Sequence, residues 1–164
     1  MTKNLMRLAT LAAALVTVGS LSWPTTAQSF CDQLKTIAAA APRFASLRGE
    51  AVGMQFHGSL RLEGAKQCEI RNKSDLDMNW QSINEKWAYE CLWENRMESA
   101  LPALKLLVEQ CLPEARYSDG SPLGEKYSNY TGGVFRIDDI SIVTDYNKNT
   151  NQLWLTVLPA GVEQ

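Results

Sequence analysis

The chain has 164 residues, 45% of them hydrophobic and 21% charged, with sixteen basic against eighteen acidic side chains. That length supports one domain with a real core, and the acidic balance without any basic cluster excludes nucleic acid as a partner. Four cysteines beside a single histidine, His57, leave little for a zinc site and point to disulfides instead.

The N-terminus reads as an export signal. Lys3 and Arg7 precede the uncharged apolar run Leu8 to Leu21, and "SWPTTA" supplies Pro24 and the small residues Thr25 and Ala27. The expected cut follows Ala27, giving a signal peptide over 1–27 and one exported domain over 28–164. The run is short for a membrane span, and no basic stop-transfer cluster follows, so no stable membrane anchor is expected after cleavage. Those 27 residues hold two of the basic side chains and none of the acidic ones, so the remainder carries a net charge of −4. The expected location is periplasmic or secreted.

From Ser29, the residues Phe30, Leu34, Ile37, Ala41, Phe44 and Leu47 recur at helical spacing, with Pro42 set to kink or divide the helix and Gly49 to stop it. The period then changes to two. Met54, Phe56, Leu60 and Leu62 alternate with polar residues, Glu63-Gly64 reads as a turn, and "AKQCEIR" reads as a return strand carrying Cys68 and Ile70 on one side. A polar connection leads to "WAYECLW", where Trp87, Tyr89, Cys91 and Trp93 share a face. Helical spacing returns in Met97, Leu101, Leu104, Val108 and Cys111, with the regular helix beginning near Ser99 so that Pro102 falls in its first turn. Residues 114–133 read as a loop, and "GVFRIDDISIVTDYN" and "QLWLTVLP" as two strands joined by "KNTN".

The fold class expected from this order is α+β: a single domain with an antiparallel sheet of about five strands and both helices packed on one face. The order helix, three strands, helix, two strands resembles the two-layer fold of class I type III secretion chaperones. The likeness covers most of the exported part as an order of elements, with no shared sequence motif, and no functional residue is carried over from it. Those chaperones are cytosolic, and export is a departure from them.

Cys68 and Cys91 lie on the apolar faces of neighbouring strands, while Cys31 begins the first helix and Cys111 ends the second. The preferred pairing is Cys31–Cys111 and Cys68–Cys91. Trp87, Tyr89 and Trp93 then flank a bridge beneath the helices and are read as core, with a ligand-facing role left open for Trp93 and for Trp80.

Chemistry finds few footholds. Asp75, Asp77 and Asn79 start a calcium-loop pattern that fails at Trp80 and Lys86, and Asp145, Asn147, Asn149 and Asn151 start another that fails at Thr150 and Thr156. Ser121 lies outside any nucleophile elbow, and His57 lacks an assignable carboxylate partner. No catalytic residue, metal or cofactor is assigned. The leading expectation is therefore a non-enzymatic module that binds another exported protein, such as a chaperone-like holder or an inhibitor or immunity protein. Candidate anchors are Tyr117, Tyr127, Tyr130 and Trp93. The alternatives are a small cell-wall hydrolase using carboxylates or His57, and a small-ligand sensor using Trp80 and Trp93.

Overall fold

Two stretches with apolar residues three and four apart form the helices. In α1 (Ala27–Ala39), Phe30, Leu34, Ile37 and Ala38 are buried; in α2 (Ala100–Cys111), Ala100, Leu104, Val108 and Cys111 are. The computed structural model describes residues 27–73, 86–121 and 128–160. The expected signal peptide up to Thr26, Trp80, the Asp75–Asn79 pattern and Tyr127 lie outside them. The helix α1 ends ahead of Pro42, which cannot donate to a continued ladder, and a short 3₁₀ turn at Ala45–Leu47 follows Phe44, a buried residue with φ of 51°. Pro102 sits in the first turn of α2, where its missing N–H costs nothing. Among the described residues, no helix is long and apolar enough to cross a membrane.

Each helix is followed by four antiparallel strands. The first four are β1 (Arg48–Val52), β2 (Gln55–Gly58), β3 (Gln67–Asn72) and β4 (Trp87–Trp93). The second four are β5 (Arg116–Asp119), β6 (Tyr130–Ile137), β7 (Ile140–Asn147) and β8 (Gln152–Pro159). They make one sheet in the order β1-β2-β3-β4-β8-β7-β6-β5. The described residues thus repeat one order of elements, a helix followed by a four-stranded meander, with the two halves joined where β4 pairs antiparallel with β8.

Among the described residues the sheet has eight strands rather than about five, and the helix–strand order is one and four, twice over. Three differences account for this. Edge strand β1 is almost wholly exposed, so it carries no apolar alternation, and the expected Met54–Leu62 strand shrinks to β2, with Met54 in the turn at 73% exposure. Edge strand β5 is polar for the same reason and lies inside the expected 114–133 loop. The third is "GVFRIDDISIV", which folds back on itself: Ile137 pairs with Ile140, and Asp138 turns the chain with φ of 46°, a conformation that short polar side chains tolerate.

The two faces of the sheet differ. Trp87, Tyr89, Cys91 and Trp93 of β4 join Phe135, Ile142, Tyr146, Leu153, Leu155 and Val157 and the inner faces of both helices in one core. Disulfide Cys68–Cys91 joins residues directly opposite each other on β3 and β4, and Cys31–Cys111 ties α1 to α2. This is the pairing expected, and two disulfides are compatible with an oxidising compartment. The Tyr89 hydroxyl donates to the Leu60 carbonyl, and burial pushes its pKa up to about 12.

Candidate functional site

Residues that alternate with the core positions point away from both described helices. By register, Gln67, Leu92, Trp154, Asp145 and Gly132 form one row across that second face, and Glu69, Glu90, Thr156, Val143 and Val134 form the next. Part of it is apolar: Ala88, Val134, Val143 and Leu158 pack together. Beside them the face turns polar around a cavity of about 170 Å³.

Five strands contribute its walls. Glu90 of β4, 7% exposed, lines it with Thr156 and Trp154 of β8. Two cations hold it: Arg71 Nε at 3.0 Å and Lys73 Nζ at 2.8 Å. Arg71 also reaches Glu69 at 2.8 Å, so two positive and two negative side chains balance in one network. Tyr130 of β6 and Asp145 of β7 complete the wall.

Asp145 is the exception to that balance. It is 2% exposed, and its Oδ1 is buried with no hydrogen-bond partner among the described residues. Ser121 hydrogen-bonds to the carboxyl, which lowers its pKa, but burial outweighs this and raises the pKa from 3.8 to about 6. The carboxylate fits against β6 only because position 132 is glycine. A Cβ there would overlap the Thr144 carbonyl oxygen and come within 2.6 Å of Asp145 Oδ1. A side chain at 132 would fill the space that the carboxylate occupies.

The residues singled out from sequence do not meet at one place. Tyr130 lines the cavity. Trp93, 1% exposed, lies in the core and directs its Nε1 to the Glu63 carbonyl at 3.3 Å. Tyr117 is on the helix side of β5, packed on Phe135 with ring centroids 4.8 Å apart and with Lys105 Nζ 3.4 Å from its ring centroid. Burial and Asp119 push its hydroxyl pKa up to about 12. It also borders a larger recess, of about 520 Å³, with Arg116, Arg136 and Asp138 at the outer end of β5 and β6. Tyr130 and Trp93 therefore face opposite sides of the sheet.

His57 is exposed on β2, in register with Glu69, and is not among the cavity residues. Among the described residues, no group of three or more His, Cys, Asp and Glu side chains is placed to hold a metal. Sequence reasoning passed over Glu90, Arg71 and Lys73, whose relation appears only once β3 and β4 pair. It treated Asp145 as part of a loop pattern, whereas Asp145 lies within β7, two residues before the strand ends. The available signal was the alternation Val143, Thr144, Asp145, Tyr146, which sets Asp145 on the face away from Tyr146. No family model, curated protein or solved structure matches the chain.

Proposed function

We propose that the chain is a small exported binding module, periplasmic or secreted, that holds another exported protein against the face of the sheet opposite its helices. The observation that carries this reading is Asp145: a carboxylate at 2% exposure that lines the cavity and keeps a buried oxygen with no hydrogen-bond partner among the described residues. Folding alone disfavours such a group, since an unsatisfied buried charge costs several kcal/mol on the order of magnitude given by transfer energies. An occupant that donates to it offsets that cost. The cavity's size agrees with a side chain as occupant: about 170 Å³ is below the roughly 300–1,000 Å³ of pockets that enclose whole drug-sized ligands.

A wall-directed hydrolase draws support from one observation, the presence of Glu90 and a proton-retaining Asp145 in the same cavity. It is the weaker reading, because Glu90 is already held by Arg71 and Lys73 and the space is small for a sugar ring with its leaving group.

The test is a photo-crosslinking amino acid placed at Tyr130 and, as a control, at Leu106, which is 54% exposed on α2. In the compartment where the chain matures, position 130 should give a discrete adduct with one exported protein and position 106 should not. Equal labelling at both positions, or none at 130, would remove the reading.

A further inference from the structure

The charge inventory around the cavity also specifies its occupant, and this step rests on the reading of that cavity as a recognition site. Arg71 and Lys73 are committed to Glu90, and Arg71 also to Glu69, so the cations there have carboxylates already in place. An incoming anion would meet the carboxylates of Glu90 and Asp145 beside those cations. What is missing among the described residues is a donor for Asp145 Oδ1. The need is for one donor, because Ser121 serves the other side of the carboxyl. A guanidinium binds carboxylates best through two oxygens at once, whereas an ammonium is a compact point charge that one oxygen can anchor. Trp154 in the wall supplies an aromatic ring, a surface that attracts organic cations.

We infer that the cavity binds an unbranched primary ammonium group, with Asp145 Oδ1 as its acceptor and Trp154 as its aromatic wall. The charged and titratable groups facing Asp145 are Arg71 and Lys73 with β3, Glu90 on β4 and Tyr130 on β6; β8 contributes only Trp154 and Thr156. Binding requires the ionised carboxylate. Affinity is therefore steady above pH 6 and falls about tenfold for each pH unit below it, as protons and ammonium compete for the same oxygen. The ammonium has two possible sources, a lysine side chain of a bound protein or a free amine.

The test uses the whole exported domain and n-butylammonium as probe, followed through the ¹³Cγ resonance of Asp145, with butyrate as the anionic counterpart. Butylammonium should move the resonance saturably and lower its titration midpoint by about one pH unit or more for a tenfold preference for the ionised form. Butyrate should do neither. Asp145→Asn should abolish butylammonium binding, read from the Trp154 indole signal; the wild-type titration stands by itself should that variant fold poorly. No saturable shift, an equal response to butyrate, or undiminished binding by Asp145→Asn would overturn the inference. Stronger binding of Nα-acetyl-lysine methylamide than of butylammonium assigns the group to a protein side chain, and the reverse order assigns it to a free amine. Amine binding without a crosslink from position 130 would leave this inference in place and remove the protein-holding reading. Crosslinks that survive in Asp145→Asn, with no amine bound, would do the opposite.

Discussion

The two faces of one sheet obey different physical rules here. Beneath the helices, every second residue of β4 is a large aromatic or a disulfide cysteine, and the neighbouring strands add Phe135, Ile142, Leu155 and Val157. Each of these gains by leaving water, at about 25 cal/mol for each Å² of apolar surface buried. On the other face, one residue out of step, Glu90 and Asp145 are buried as well. Glu90 is compensated by two cations, while Asp145 keeps an oxygen without a donor among the described residues. Burial on the first face explains the fold. Burial of Asp145 on the second detracts from it, and the proposed recognition site rests on that contrast.

The contrast can be tested by damaging each face in turn. On the helix side, replacing Cys31 and Cys111 together with serine opens a cross-link spanning 80 residues of sequence and should cost about 4–5 kcal/mol in the chain-entropy model. The same change at Cys68 and Cys91, separated by 23, should cost about 3 kcal/mol, and denaturant midpoints will show whether that order holds.

On the other face, Asp145 predicts a pH effect. Its folded pKa of about 6 lies above the ordinary 3.8, so the folded chain holds this proton more tightly than the unfolded chain does. The stability it contributes is complete below about pH 4 and is lost as pH rises to 6, ~3 kcal/mol over the window. Wild type minus Asp145→Asn, compared from pH 3.5 to 7, should isolate that loss, and a flat difference would count against the assignment. Glu90→Gln weakens the hold on Arg71 and Lys73, both about a third exposed and able to turn to water, so chemical denaturation should show a loss of about 1–2 kcal/mol. Lys66→Ala removes a pair to Glu94 that is 2.6 Å long but solvent-facing, and should change stability by less than about 1 kcal/mol.

Much of the helix side was legible from periodicity. The spacing of Phe30, Leu34 and Ile37, the alternation around Cys91 and the turn between β7 and β8 each express burial on one face, and burial leaves a pattern. The turn forms as its asparagines suggest: Asn147 Oδ1 accepts from the Asn149 amide at 3.0 Å, and Asn151 takes φ of 53°. Edge strands leave no such pattern. The outer strands β1 and β5 face water and read as a helix stop and a loop. Asp138 and Asp139 gave no glycine to mark the hairpin they form. The cavity was hidden for another reason: Arg71, Glu90, Tyr130, Asp145 and Trp154 belong to five different strands, and only the pairing of β4 with β8 brings the two halves of the chain together there.

All of this turns on the state of one carboxyl group. Titration of the Asp145 ¹³Cγ resonance in the ligand-free exported domain should give a midpoint near pH 6, well above that of a solvated aspartate. A midpoint near 4 would mean that water reaches the carboxylate freely, leaving no unmet charge for an occupant to satisfy.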